Sequence, residues 1–265
     1  MRAPAAAKKT MNREERDQAL YDAFAERQAR KDVLPASAIA RRSQLFSALQ
    51  PVLAQSSDLG TIVEIGCGIG APAKILQGHY GRYIGLDHSA EMIGAAAHFN
   101  AGNTRAEFIA ANVKSAPLPA QTADLILSIG ALHHMSRLDD VMQALIRLAK
   151  PGAWLVVREP QRGNPLIQGL RWLRTRLDAS YSEEQIFFAK AELVDLLQRN
   201  GLFDLSVEYQ GYFTPPFAQV VMRPQVITAP LSQLADKVDN WLHGRLPAPI
   251  NKLSFNLVVR ARFPR

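Results

Sequence analysis

The sequence predicts an α/β fold built on a largely parallel sheet, and three stretches carry that expectation. Thr61, Ile62, Val63 and Ile65 form a short β-branched run, suited to a strand buried on both faces. Three glycines spaced two apart, Gly66, Gly68 and Gly70, end the run and lead into a helical stretch over 71–77, where Pro72 falls in the first turn and its missing N–H costs nothing. A second run, over 82–86, ends in an acid, Asp87, 17 residues after Gly70. Strand, glycine turn, helix and strand make a nucleotide-binding unit, because glycine turns the backbone sharply and admits a ligand where a Cβ would stand.

The other elements follow in order. Residues 12–30 have helical composition, with Leu20, Ala23 and Phe24 as an apolar stripe, and 39–53 form a second helix entering the first strand. Residues 89–98 read as a helix, and Asp87 either caps it or accepts from ribose hydroxyls, two compatible roles. Strands are expected at 108–111, 124–129 and 154–158, with an amphipathic helix at 139–149 closed by Lys150-Pro151-Gly152. A helix starts at Asn164-Pro165 with Leu166, Leu170, Leu173 and Leu177 on one face and Arg162, Arg171, Arg174 and Arg176 about it. It reads either as a solvated cap or as a contact of 165–177 with an anionic membrane surface. Residues 190–200 form a helix with Gly201 at its C-cap, 205–209 a sixth strand, 231–242 a helix and 256–261 a seventh strand.

Composition narrows the class. The 265 residues are 48% apolar and 21% charged, an ordinary globular balance able to bury a sizeable core. The single cysteine, Cys67, excludes an internal disulfide framework and a cysteine metal cluster, and it reads as a small loop filler. No apolar run reaches the roughly 18 residues of a membrane span, and no apolar signal segment stands at the start, so a cytoplasmic location is expected. The +7 net charge is spread along the chain with no aromatic-interleaved basic platform, so no nucleic-acid partner is expected.

The glycine spacing bears on the ligand. A dinucleotide loop wants G-x-G-x-x-G, whereas here the pattern is Glu-x-Gly-x-Gly-x-Gly with Glu64 two residues before the first glycine. An anion there repels a phosphate and suits a cationic ligand. At the carboxyl end of the fourth strand stand His133 and His134, facing the crevice of a parallel sheet, where an imidazole can take a proton near neutral pH. Adjacent histidines on a turn point apart, and no third ligand accompanies them, so no metal is expected.

Residues 60–160 resemble the class I S-adenosylmethionine (SAM) methyltransferases, in particular the small-molecule group with the ubiquinone/menaquinone-type and sugar enzymes. Four stretches carry the resemblance: Val63-Glu64-Ile65-Gly66-Cys67-Gly68-Ile69-Gly70; Gly85-Leu86-Asp87-His88-Ser89 with Met92; 111–128, from Ala111-Asn112-Val113 to Ala123-Asp124-Leu125-Ile126-Leu127-Ser128; and 148–157, around Lys150-Pro151-Gly152. The resemblance implies a Rossmann-like, seven-stranded, mostly parallel sheet with an antiparallel last strand, helices on both faces and a helical cap. It implies SAM as cofactor, with Glu64, Gly66, Cys67, Gly68 and Gly70 at the methionine part, Asp87, His88 and Met92 at the ribose side, and Asn112, Val113 and Ile129 at the adenine and floor. Asn112 stands where the family commonly has an acid, and its amide oxygen can still accept a hydrogen bond. Tyr21, in Tyr21-Asp22-Ala23-Phe24-Ala25, is a candidate lid residue or an aromatic docked in an apolar face. His133 or His134 would be the base, and Glu159 either orients the substrate or the histidine or pairs with Arg158 or Arg162.

The implied organisation is a disordered tail over 1–10, a helical lid over 11–55, the cofactor core over 56–160, a cap over 161–188, and the rest of the core over 189–265. Within that last part, 211–250 face the substrate, and Tyr212, Phe213, Phe217 and Trp241 there suggest an apolar acceptor pocket or an ordinary core lid. The expected activity is methyl transfer to a small-molecule acceptor, apolar or anionic, at oxygen. The alternatives are carbon methylation of a quinone- or lipid-like acceptor and a non-catalytic SAM-binding protein. No Asn-Pro-Pro-Tyr motif follows the fourth strand, where base-amino methyltransferases carry theirs.

Overall fold

The computed structural model describes residues 13–165, 167–169, 172, 176 and 187–265, and at 13–14, 17, 20, 24, 27–28 and 248–249 it describes the backbone alone. The expected tail over 1–10, the Leu20 and Phe24 side chains and most of the leucine and arginine pattern over 165–177 lie outside the described residues.

Two helices come first, α1 (Arg13–Asp32) and α2 (Pro35–Leu53). The unit at the heart of the fold is β1 (Thr61–Ile65), α3 (Ala71–Ile75), β2 (Arg82–Asp87), α4 (Ala90–Phe99) and β3 (Ala106–Ala110). The chain then crosses back to β4 (Ala123–Ile129), α5 (Leu138–Leu148) and β5 (Ala149–Pro160). Helix α6 (Lys190–Arg199), β6 (Phe203–Gln210), α7 (Pro215–Gln219), α8 (Gln225–Leu242), α9 (Ala248–Asn251) and β7 (Asn256–Arg262) complete it.

The strands form one sheet in the order β3-β2-β1-β4-β5-β7-β6. β1 through β5 are parallel, and β7 runs antiparallel between β5 and β6. This is a Rossmann-like, seven-stranded sheet, with the expected antiparallel last strand. Alternation along the β-branched strands sends apolar side chains to both faces. Ile62, Leu125, Val156 and Val258 pack under Leu45, Ala48 and Leu49 of α2. On the other face Val63, Ile126, Leu155 and Val259 pack against Leu145 of α5 and Leu193 and Leu197 of α6. Strand order reverses between β1 and β4, and a crevice opens at their carboxyl ends at such a point.

Several boundaries differ from the sequence reading for local reasons. α2 begins at Pro35, four residues early, because Pro35 is pre-set for the first turn and the buried Ala36, Ser37, Ala40 and Gln44 are too small or polar to show an apolar stripe. α8 begins at Gln225 and runs through Pro230, whereas the sequence predicts a start only at 231. Its small face of Thr228, Ser232 and Ala235 is buried, and the Ser232 hydroxyl donates to the Ala36 carbonyl at 2.8 Å, tying it to α2. The residue that caps α4 is Ser89, whose Oγ accepts from the Met92 N–H at 3.2 Å; Asp87 instead accepts from the Ser89 N–H at 3.0 Å. Among the described residues no helix is long and apolar enough to cross a membrane.

Candidate functional site

A cleft of about 520 Å³ opens over the carboxyl ends of β1, β4 and β5. Its β1 wall is mostly main chain. Gly66, at φ +64°, lies so close to the 131 position that an added Cβ would stand 2.5 Å from the Ala131 Cβ. The Gly68 N–H donates to Asp87 Oδ2 at 2.9 Å, so the acid ending β2 ties down the glycine loop. Gly66, Cys67, Gly68, Asp87, His88 and Met92 all line the cleft. Gly70 does not: it packs against the Phe108 ring and the Asn100 amide, so its role is to bring the helix after the loop close to the sheet. Cys67 is buried with its thiol on the Gly68 carbonyl at 3.7 Å; burial, then Glu64 and Asp87, push its pKa well up, which suits a loop filler and not a nucleophile.

Glu64 is buried at the cleft floor and accepts a hydrogen bond from the Tyr83 hydroxyl. Burial pushes its pKa up to about 8, against the pull of Tyr83, and Asp87 adds to the rise. Near neutral pH it is largely protonated until a cation arrives beside it. On the far wall Asn112 caps the short 3₁₀ turn Val113–Ser115, with Oδ1 accepting from the Lys114 N–H at 3.0 Å. Asn112, Val113 and Ile129 line the cleft.

The two histidines sit in a 3₁₀ turn, Leu132–His134, after β4. Glu159, fully buried at the end of β5, orders that turn: Oε1 accepts from the Ala131 N–H at 3.0 Å and the Leu132 N–H at 2.8 Å, and Oε2 lies 2.6 Å from His133 Nδ1. This assigns the proton to Nδ1 of His133 and the lone pair to Nε2. Phe187 stacks on the His133 ring, with centroids 5.8 Å apart. His134 takes a different partner, the Tyr21 hydroxyl, at 3.0 Å from Nε2. Tyr21 thus comes over the cleft from α1, and three residues earlier Gln18 donates to the His88 carbonyl at 3.0 Å. The alternative pairing of Glu159 with Arg158 or Arg162 does not occur: Arg162 pairs with Glu192, and Arg158 binds Gln44 and Gln210.

Of the two readings of the aromatic residues over 211–250, the acceptor pocket finds no support in the cleft lining: the segment contributes Ala218 and Gln219 and none of its aromatic side chains. Tyr212 donates to Asn251 at 2.8 Å, and Phe213 and Trp241 are 53% and 63% exposed. The reason lies in α8, whose small polar face docks on α2 and leaves Ile227, Leu231, Leu234 and Trp241 turned outward.

The sequence reading also misses Gln18, Arg41, Met135, Arg158, Phe187 and Asn256, all cleft residues. For two of them a signal exists, a charge inside the β-branched 155–158 run and a polar residue opening the seventh strand. Arg41 Nε and His88 Nε2 are buried and lack a hydrogen-bond partner among the described residues. A ligand with a carboxylate at one end and a polar heterocyclic end satisfies both, and a glycine loop open to the cleft admits it.

The chain resembles known proteins in sequence and in fold. Residues 63–157 match the methyltransferase-domain family. The chain is 27% identical over 202 residues to the ubiquinone/menaquinone biosynthesis C-methyltransferase UbiE of Syntrophotalea carbinolica, covering 73% of this chain and 84% of that protein. It is 26% identical over 149 residues to the ubiquinone biosynthesis O-methyltransferase of Leptothrix cholodnii, covering 53% of this chain and 63% of that one. With several other curated relatives the shared stretch is about 100 residues and spans only 28 to 31% of their length. A solved SAM-dependent methyltransferase from Thermotoga maritima, a possible histamine N-methyltransferase, superposes with a TM-score of 0.61 at 19% identity, covering 92% of this chain and 99% of that one. Residues 63–157 therefore belong to the methyltransferase-domain family, and SAM is the cofactor of that family.

Proposed function

We propose that this protein transfers a methyl group from SAM to a hydroxyl of a small-molecule acceptor, with His133 as general base. The observation that carries this reading is the 2.6 Å contact of Glu159 Oε2 with His133 Nδ1 beneath the cleft. SAM bound there supplies a methyl group on a positively charged sulfur. The chain's own residues then have three tasks. Gly66 and Gly68 give the methionine part a surface without side chains, Asp87 is the acceptor for the ribose, and Arg41, whose Nε lacks a partner, is the donor for the carboxylate. Glu64 loses its proton as the cation settles beside it. His133, held in one tautomer by Glu159, removes the acceptor's hydroxyl proton at Nε2 as the methyl group arrives. Tyr21 on His134, with Gln18 on the His88 carbonyl, closes α1 over the site and excludes water, so that much of the rate comes from holding the reacting atoms in line.

A second reading, transfer to a ring carbon, draws on the likeness to UbiE. The same base serves there by ionising a hydroxyl that activates the ring.

The test begins with calorimetric titration by S-adenosylhomocysteine (SAH), with NAD as control, followed by SAH release in the presence of catechol and hydroquinone. SAH should bind with a Kd in the micromolar range, about −8 kcal/mol, and NAD should not. His133→Ala should keep SAH affinity within about threefold while turnover falls by about 10²- to 10⁴-fold. Equal turnover in His133→Ala would remove the base from the mechanism, and binding of NAD but not SAH would remove the function.

A further inference from the structure

Arg158 is held in an unusual way. Its side chain lies on the sheet face covered by α2, where Nε donates to Gln210 Oε1 at 2.8 Å and one Nη donates to Gln44 Oε1. Both acceptors are neutral amides. The Gln210 amide nitrogen donates on to the Gln44 main-chain carbonyl at 2.9 Å, and the Gln44 amide nitrogen donates to Thr214 Oγ1 at 3.1 Å, so both glutamines are fixed. Arg158 makes no ion pair among the described residues, because its neighbour Glu159 points to the opposite face and is committed to His133. Arg260, on the same face, is buried and does have an ion pair, with Glu208 at 2.8 Å, beside a bond to the Ala48 carbonyl at 2.6 Å, while its Nη1 lacks a partner among the described residues.

Strand register brings a second unmatched donor beside it. Asn256 is opposite both Pro160 and Gln210, two residues from Val258, which is opposite Arg158. In an antiparallel pair these positions share a face and are diagonal neighbours. Asn256 is 2% exposed, lines the cleft, and its amide nitrogen is buried with no acceptor among the described residues. A buried guanidinium whose hydrogen bonds go only to amide oxygens and whose one opposite charge, Glu159, is committed to His133, next to an orphaned amide N–H, is a costly arrangement until an anion joins it. The fork of an arginine matches the two oxygens of a carboxylate or phosphate.

The cofactor's carboxylate is not the natural occupant. Arg41 lies within electrostatic reach of both ends, and its charge lowers the pKa of Arg158 as well as that of Glu64. Arg158 and Asn256 are on β5 and β7, two and three strands away from β1 in the sheet, roughly 10 and 14 Å at about 4.8 Å per strand. Glu64, on the same face, is largely protonated near neutral pH while no cation lies beside it, so it offers no compensating charge in the SAH-loaded protein.

We propose that Arg158 and Asn256 form an oxyanion subsite at the acceptor end of the cleft, so that the methyl acceptor carries a carboxylate or a phosphate. This rests on the methyltransferase reading for the word acceptor, but the subsite itself can be read without turnover. The experiment is calorimetric titration of the SAH-saturated protein with benzoate, phenyl phosphate and neutral benzamide. At least one anion should bind, its identity telling carboxylate from phosphate, and benzamide should not. Arg158→Gln and Asn256→Leu should each weaken the anion tenfold or more while SAH affinity stays within about twofold. Arg158→Lys keeps the charge without the fork and should fall between wild type and Arg158→Gln; it carries the test together with Asn256→Leu if Arg158→Gln fails to fold.

Three results overturn the proposal: no anion binding to the SAH-loaded wild type, unchanged anion affinity in the variants, or parallel loss of SAH and anion, which would give Arg158 to the cofactor. Failure of SAH to bind the wild type sinks the methyltransferase reading instead, and the same anion titration of the unliganded protein still decides the subsite.

Discussion

At the β1 end of the cleft the surface is main chain, supplied by a few consecutive residues and tied down by one acid from the next strand. At the β5–β7 end it is side chains, Arg158 and Asn256 from the sheet, with Arg158 held by Gln44 of α2, brought together from distant parts of the chain. A main-chain wall is insensitive to most substitutions and intolerant of a Cβ. A side-chain wall can lose a donor and still fold. The first end therefore suits the part of the ligand shared by all methyl transfers, and the second suits the part that varies.

The largest effect should come from placing a Cβ in the main-chain wall. Gly66→Val has to adopt φ +64° and put its Cβ 2.5 Å from the Ala131 Cβ. A β-branched residue in the left-handed region costs on the order of 1–3 kcal/mol before the clash is counted. SAH binding should fall more than 100-fold and the Tm should drop by several degrees. Gly94→Ala is the control: in the middle of α4, with nothing within 4 Å of an added Cβ, it should raise stability by about 0.5–1 kcal/mol and leave SAH affinity alone. Similar SAH affinities for the two variants would break the contrast between the walls.

A smaller, pH-dependent effect belongs to Glu64, between the two ends. In the unfolded chain it ionises near its ordinary 4.5, and in the fold only near 8. Between those values the native state holds the extra proton, so the stability contribution is full below about pH 4.5 and is lost by about pH 8. The slope is at most about 1.4 kcal/mol per pH unit. Thermal melts from pH 5 to 8 should show a falling Tm in the wild type that flattens in Glu64→Gln. A bound cation favours the ionised form, so the preference for SAM over the uncharged SAH should grow with pH in the wild type only. Parallel melting profiles for the two proteins would mean that Glu64 is ionised throughout.

How much of this is legible in the sequence follows the same division. Strand β1, the glycine loop and Asp87 are contiguous or one unit apart, and a β-branched run, positive-φ glycines and a strand-ending acid each leave a local trace. The Glu159–His133 contact is half legible: both residues stand at the ends of neighbouring strands, but only the fold decides that His133 and not His134 receives the carboxylate. Arg41, Arg158 and Asn256 leave almost no trace, because what makes them a group is register across β5, β7 and β6 and the docking of α2. Phe213 and Trp241 are the opposite case. Composition points to a pocket, while the orientation of α8 is set by its small face of Thr228, Ser232 and Ala235, and no count of aromatic residues encodes that.

The smallest predicted effect tests that orientation. If the aromatic residues of 211–250 made the acceptor pocket, Phe213→Ser and Trp241→Ser would each cost turnover heavily. In the fold they face away from the cleft, so each should change stability by no more than about 0.5 kcal/mol and leave SAH affinity and SAH release within twofold of wild type. Trp241 is the more telling of the two, because Arg245 lies 5.6 Å from its ring centroid and donates to its carbonyl, so the variant loses a contact at the exposed end of α8. That loss is confined to the last turn and should show as faster amide exchange there, with none at the glycine loop. A fall in turnover of tenfold or more in either variant, at unchanged SAH affinity, would return these side chains to the acceptor site and turn the apolar face of α8 inward.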